Sequence, residues 1–254
     1  MLYVEMLRAR NTIKWTLFGL LVLTVATVSL GALFPGMHYD PSQQPPALLV
    51  VGWIAALVTA IVVSIFGISL STENCGHLEI AWTKPMSRTA RALGMFAIDL
   101  AALVIIFGMT FAAAYVAASF LGGHLVRVTF DQQTFAKLGR FVIFPVAWFG
   151  MLQGLTSGIR GKQAGWVVGM SWPIAEGLSL LGVVSFAAPL HSAIGVLNFA
   201  NPIAYYPFWT IDEGVHHGVR PFFGFGLTTD LLALAAIAIV GMVVATLTWR
   251  RLEA

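Results

Sequence analysis

Six stretches of this chain are apolar over a length that suits a helix crossing a lipid bilayer. They are residues 15–34, 47–70, 93–121, 141–158, 164–188 and 231–249, and their only charges are Asp99 and Glu176. A membrane-spanning helix needs about 20 such residues to cross a hydrocarbon core of about 30 Å. Only 10% of the chain is charged, whereas a soluble domain carries about 25%. The sequence therefore predicts an all-α membrane protein with six transmembrane helices.

The basic residues predict how these helices are oriented. If both termini lie on one side of the membrane, that side holds most of the 14 Lys and Arg residues. The residues on that side are Arg8, Arg10, Lys14, Lys84, Arg88, Arg91, Arg160, Lys162, Arg250 and Arg251. Positive charge concentrates in cytoplasmic loops. We therefore expect a multi-pass plasma-membrane protein with both termini in the cytoplasm.

The sequence predicts a single transmembrane domain over residues 1–254. Three segments of it outside the predicted spans have distinctive compositions. Residues 1–14 mix apolar and basic side chains at roughly helical spacing, which predicts an interfacial helix. Residues 71–92 form a polar cytoplasmic loop. Residues 189–230 are external but rich in aromatic residues, Pro and Gly. That composition predicts a re-entrant hairpin of broken helices, whose freed backbone groups face protein or water.

The cytoplasmic loop reads STENCGHLEIAWTKPMSRTAR over residues 71–91. Ser71 or Thr72 is suited to capping a helix end. The Lys84-Pro85 pair ends the helix that follows, because the residue before proline is pushed out of the α region. The pattern predicts a short amphipathic helix at the membrane surface, between the second and third spans.

This loop resembles the cytoplasmic loop of type-two ABC exporter permeases, the ABC-2-type membrane protein family. The positions that match the family pattern are Glu73, Gly76, Leu78, Glu79, Pro85, Ser87 and Arg88. The predicted layout is also similar to that family, with an interfacial N-terminal helix, six spans and an apolar external hairpin before the last span. The departures are His77, Trp82 and Lys84.

The resemblance implies a transport role. The loop would be the coupling helix, and its matching residues would dock on a separate ATPase subunit. Two such subunits would bind ATP and Mg, and a second permease, either identical or related, would complete the assembly. The chain has no G-x-x-x-x-G-K-[ST] loop of its own. We therefore expect no cofactor in this chain, no enzymatic activity of its own and no nucleic-acid partner.

The two charged residues within the predicted spans are further candidates. An ionisable group at membrane depth is costly and is often functional. Asp99 and Glu176 are therefore candidates for the substrate path. For Asp99 the alternative is a residue near the helix end that snorkels or is bonded within the bundle. For Glu176 the options are the substrate path, a proton-linked role or an interhelical bond. A proton- or ion-coupled secondary carrier that uses both residues is the alternative to the exporter. An integral membrane enzyme is less favoured, because the acidic residues are scattered along the sequence.

The sequence predicts no metal site. The adjacent pair His216 and His217 is interpreted as part of a polar loop, because neighbouring residues seldom make a metal site alone. Cys75 is the only cysteine, so it has no disulfide or zinc partner in the chain. Apolar spans fit a hydrophobic or amphipathic substrate such as a drug, antibiotic, lipid or peptide, and the sequence does not choose among these.

Overall fold

The computed structural model describes residues 2–33, 47–68, 70–71, 87–121, 132–159, 162–183, 188–205 and 227–251. These residues form seven α-helices and one short 3-10 helix, and no strand occurs among them. The α-helices are α1 (Leu2–Leu33), α2 (Ala47–Phe66), α3 (Arg88–Leu121), α4 (Gln132–Thr156), α5 (Lys162–Val183), α6 (Ala188–Phe199) and α7 (Leu227–Arg251), and the 3-10 helix is Pro202–Tyr205.

Four of the helices contain stretches long and apolar enough to cross a membrane. They are Leu48–Phe66, Thr89–Phe120, Leu138–Thr156 and Thr228–Arg251. The prediction of an all-α, membrane-embedded protein is confirmed at this level. The first and fifth predicted spans correspond to α1 and α5, which are helical but are not among these four. Six spans therefore remain a prediction.

The helix bounds differ from the predicted spans in two places. The interfacial helix predicted over 1–14 and the span predicted over 15–34 belong to one uninterrupted helix, α1. Helix α4 begins at Gln132, nine residues before the predicted span 141–158, so its first turns carry polar residues. Both α4 and α5 continue through an internal proline, Pro145 and Pro173 respectively.

Helices α2, α4 and α7 lie side by side and run in the same direction. Gly52, near the start of α2, faces Phe141 near the start of the apolar part of α4, and Gly67 at the end of α2 faces Leu152. Gly139 of α4 likewise lies near Leu231 at the start of α7. Parallel helices must be connected by chain that runs in the opposite direction. Helix α3 provides this connection between α2 and α4.

The helix α1 packs along α3, again in the same direction. Leu2 of α1 lies against Gly94 of α3, and further along both helices Arg8 of α1 lies near Asp99 of α3.

The core between α2, α3 and α4 is aromatic and aliphatic. Its largest fully buried side chains include Trp148, Phe66, Phe144, Phe149, Leu70, Met95, Ile106 and Leu152.

The outer faces of the helices are apolar as well. Helix α1 exposes Trp15, Leu17, Phe18, Leu21, Val22, Leu23 and Val25, and α7 exposes Leu232, Ile239, Val240, Val243, Val244 and Leu247. Exposed apolar surface this extensive is rare on soluble monomers. Contact with lipid accounts for it, because lipid tails accept such side chains without the cost that water imposes.

Helix α6 folds back along α5. The side-chain amide of Asn198 donates to the carbonyl oxygen of Leu178 over 2.8 Å, and that of Asn201 donates to the carbonyl oxygen of Ala175 over 2.8 Å. As the residue number rises in α6, the partner number falls in α5, so the two helices are antiparallel. This pair of helices forms an arm beside the α2–α4–α7 group and packs against the core through Val168 and Ala175.

Candidate functional site

Most of the predicted docking residues cannot be placed by the structure. Those that lie outside the described residues are Glu73, Gly76, Leu78, Glu79 and Pro85. The last two, Ser87 and Arg88, are described at the start of α3. The Ser87 hydroxyl oxygen accepts a hydrogen bond from the backbone N–H of Ala90 over 3.2 Å. Ser87 is therefore the N-cap of α3, which fits its residue type and position.

The other end of the predicted coupling loop is held by α4 and the residues that follow it. The Ser71 hydroxyl donates to the carbonyl oxygen of Ile159 over 2.6 Å. One turn earlier, the Thr156 hydroxyl donates to the carbonyl oxygen of Gly67, also over 2.6 Å. The last carbonyl groups of a helix have no partner within it. The Thr156 side chain therefore satisfies a carbonyl group at the end of α2, and Ser71 in turn satisfies the carbonyl group of Ile159. The two bonds hold Ser71, the residue before the 72–86 segment, against the end of α4.

The Gln153 side chain adds a third bond at this junction. Its amide nitrogen donates to the carbonyl oxygen of Phe66 over 2.7 Å, and both residues are fully buried. Buried polar groups are costly unless they are hydrogen-bonded, so this geometry fixes the register of α2 against α4. The sequence signals for this junction are Gln153 and Thr156 within one predicted span and Ser71 at the edge of another. Their hydrogen-bond partners cannot be identified from the sequence.

The segments that are predicted to lie on the same side of the membrane meet at one end of the bundle. Leu2 of α1 lies against Gly94 of α3, and Gly158 after α4 lies against Thr248 of α7. The Ser71–Ile159 bond is at the same end. The start of α1, the end of α7 and both ends of the 72–86 segment therefore share one end of the fold. Which side of a membrane this end faces stays a prediction.

Asp99 is fully buried and forms part of a cluster of charges between α1 and α3. A guanidinium nitrogen of Arg8 lies 3.5 Å from the Asp99 carboxylate and also pairs with Glu5 one turn away on α1. The Arg8 guanidinium carbon lies 5.5 Å from the centre of the Phe66 ring, within cation–π range. Of the options left open for Asp99, the structure shows an interhelical ion pair.

Glu176 lies on α5 away from that cluster, so the two predicted intramembrane acids do not share a site. The Glu176 side chain is half-buried, and within the described part of the chain it has no hydrogen bond or ion pair. An ionisable group in a predicted span that has no compensating partner is a candidate for a ligand or ion path.

A second buried ion pair closes the opposite end of the bundle. Arg140 of α4 pairs with Asp230 of α7 over 2.6 Å, and the Asp230 side chain is 2% exposed. Nearby, Tyr205 is buried and donates its hydroxyl to the carbonyl oxygen of Phe199 over 3.0 Å. Burial, together with the charge of Asp230, raises the pKa of Tyr205 to about 12. Sequence analysis assigned these residues to external segments but did not pair them.

The residues described by the structure bring together no group of three or more His, Cys, Asp or Glu that is placed to hold a metal ion. Comparison with known proteins finds no family model that matches the chain and no curated protein that matches its sequence. The resemblance to ABC-2-type permeases therefore depends on the 73–88 pattern and the helix order alone.

Proposed function

We propose that this chain is the transmembrane subunit of an ATP-driven ABC exporter for a hydrophobic or amphipathic substrate. It would work in the plasma membrane with two copies of a separate ATPase subunit and a second permease chain, either identical or related. The observation that carries the proposal is the 73–88 pattern. It begins two residues after Ser71 and includes Ser87, and hydrogen bonds hold both of these residues at one end of the bundle.

The packing gives this segment a mechanical connection to the rest of the fold. Ser71 is bonded to the end of α4, and α4 contacts α7 so closely that Gly150 and Gly241 meet backbone to backbone. A force applied to residues 72–86 would therefore reach α2, α3, α4 and α7 together. A subunit that receives motion from an ATPase needs this property, because packed elements transmit strain as rigid bodies.

The alternative is a proton- or ion-coupled secondary carrier that uses Asp99 and Glu176. One observation favours it, since Glu176 is half-buried without a partner among the described residues. Asp99 favours it less, because Arg8 already lies 3.5 Å from that carboxylate. Transport in vesicles separates the two proposals. A carrier would work without ATP and stop when the proton gradient collapses, whereas an exporter would require ATP.

The exporter proposal is tested by affinity purification of the tagged chain from native membranes, with ATPase activity measured on the eluate. The test variant is Glu73→Ala/Glu79→Ala. The matched control is Asp212→Ala/Glu213→Ala, which removes two acidic residues from the predicted external segment. We expect an ATPase subunit to co-purify with the wild type and the control, and to be lost or uncoupled in the test variant. A folded chain that purifies without any ATPase would contradict the proposal.

A further inference from the structure

One face of α5 carries two glycines that no other described residue contacts. Gly165, Gly169, Trp172 and Glu176 recur at helical spacing, so they share this face. A Cβ atom added to Gly165 or Gly169 would meet no heavy atom within 4 Å among the described residues beyond its own helical turn. Among the described residues, nothing packs against the two glycines, and Trp172 and Glu176 follow on the same face of the helix.

Trp172 is fixed at the bundle side of this face. Its indole N–H donates to the Ser64 hydroxyl over 3.0 Å, and its ring lies 4.6 Å from the Trp148 ring at a tilt of 49°. Trp148 is fully buried, whereas Trp172 is only partly buried. Part of a firmly held indole ring therefore remains available to a ligand in the space beside α5.

Glu176 follows Trp172 by one helical turn, at the i, i+4 spacing that brings side chains together. The backbone on both sides of it is held by α6, because the carbonyl groups of Ala175 and Leu178 accept hydrogen bonds from Asn201 and Asn198. The position of Glu176 is thus determined by the fold, although its carboxyl group has no partner among the described residues. A partly buried carboxyl group is stabilised either by protonation or by an opposite charge beside it.

We propose that this face of α5 binds lipophilic organic cations. The Glu176 carboxylate supplies the charge, the Trp172 ring supplies an aromatic surface suited to a cation, and the glycines leave room for the apolar groups of the ligand. This assignment depends on the exporter proposal only for the statement that such cations are the transported substrate. Binding itself involves residues of this chain and needs no ATPase.

The test is equilibrium dialysis of the purified full-length chain in detergent with radiolabelled tetraphenylphosphonium. Tetraphenylborate, which has nearly the same size and shape but the opposite charge, is the matched control ligand. We expect saturable binding of the cation and none of the anion. Glu176→Gln should weaken cation binding by about 30-fold or more, because it removes the partly desolvated charge that pairs with the ligand.

Three further variants complete this test. Glu176→Asp retains the charge and should bind the cation more tightly than Glu176→Gln, which separates loss of charge from loss of fold. Trp172→Phe keeps an aromatic ring and should weaken binding by only a few-fold, since tryptophan is the better partner for a cation. Met170→Ala changes an exposed residue on another face of α5 and should bind like the wild type.

The proposal is overturned if the wild type shows no saturable binding, as expected if a second copy of the chain covers the Gly165–Gly169 face. It is also overturned if Glu176→Gln binds as tightly as the wild type, or if the anion binds equally well. This outcome is independent of the exporter proposal, which the co-purification experiment tests. Cation binding without a co-purifying ATPase would support the site and contradict the exporter.

Discussion

Two pairs of helices in this fold, α4 with α7 and α5 with α6, are held together in different ways. Helices α4 and α7 meet through backbone, because Gly150 and Gly241 leave no side chain between them. Helices α5 and α6 meet through side chains, since Asn198 and Asn201 reach across to backbone carbonyl groups. Close glycine contacts are typical of permanent helix pairs in membranes. The comparison suggests a rigid frame of α2, α4 and α7, and beside it an arm of α5 and α6 that carries the proposed ligand face.

The first way to break this comparison is to separate the frame helices. Gly241→Leu places a side chain against the Gly150 backbone, which has no flexible atoms to move aside. Overpacking usually costs about 1–3 kcal/mol, and a backbone contact belongs at or above the top of that range. We expect the free energy of unfolding to fall by about 3 kcal/mol or more, measured by denaturation in detergent.

Gly108→Leu is the matched control for this change. A Cβ on Gly108 of α3 meets nothing within 4 Å, and replacing a helical glycine removes a residue with poor helix propensity. Its free energy of unfolding should therefore stay within about 1 kcal/mol of the wild type. Equal destabilisation by both variants would mean that the α4–α7 contact is not the tight part of the frame.

The second largest effect is expected at the Arg140–Asp230 pair, which joins the same two helices. Asp230→Asn removes the carboxylate that lies 2.6 Å from the Arg140 guanidinium. Breaking a buried pair costs about 3–5 kcal/mol. Because the Arg140 side chain is still 14% exposed, we expect a smaller loss of about 2–3 kcal/mol in the free energy of unfolding.

The double variant Arg140→Met/Asp230→Leu sharpens this prediction. Replacing both charges with apolar residues removes the ion pair as a whole and should restore most of the lost stability, because such replacements are often close to neutral. If the single variant is as stable as the wild type, the ion pair does not hold α4 to α7. If the double variant is no better than the single one, packing and not charge explains the loss.

The arm should respond differently. Asn201→Ala removes the bond to the Ala175 carbonyl oxygen and also the bonds of the Asn201 side chain with Asn198 and with the backbone N–H of Ile203. The loss should cost about 2 kcal/mol. Because these bonds hold the end of α6 against α5 and do not join the frame helices, we expect faster hydrogen exchange in residues 188–205 and little change elsewhere. Asn11→Ala, an exposed asparagine of α1, is the control and should leave exchange in that region unchanged. Uniformly faster exchange along the whole chain would remove the distinction between arm and frame.

Tyr205 tests the junction of arm and frame through pH. Its folded-state pKa is about 12 because burial and the Asp230 charge disfavour the phenolate, whereas an unfolded tyrosine titrates near 10. Since the folded pKa is raised, the stability contributed by Tyr205 is present below pH 10 and is lost as the pH rises through 12. Wild type should exceed Tyr205→Phe by about 1 kcal/mol at pH 8.

The advantage of the wild type over Tyr205→Phe should shrink and then disappear between pH 10 and pH 12. Thermal unfolding of both proteins in detergent at pH 8, 10 and 11 measures this, because the other tyrosines affect both equally. A difference that stays constant over this range would show that Tyr205 titrates at an ordinary pKa and is not shielded at this junction.

The helical class and the main membrane segments follow from the sequence because length and hydropathy determine them. Contacts between helices do not follow from the sequence. Asp99 stood out as a charge in an apolar stretch, but its partner Arg8 depends on the register of α1 against α3. Glycines occur in all seven α-helices, and the pattern alone does not reveal that Gly150 faces Gly241. The register of one helix against another depends on packing throughout the bundle, so it cannot be read from the residues of either helix alone.

The central claim is that residues 72–86 are cytoplasmic and contact a separate ATPase. Cys75, the only cysteine of the chain, lies in this segment and makes a direct test without any mutation. Intact cells and inverted vesicles are treated with a membrane-impermeant maleimide, before and after extrinsic subunits are stripped from the vesicles. The account predicts no labelling of Cys75 in cells, weak labelling in vesicles and strong labelling after stripping. Labelling in intact cells, or labelling of vesicles that stripping does not change, would contradict it.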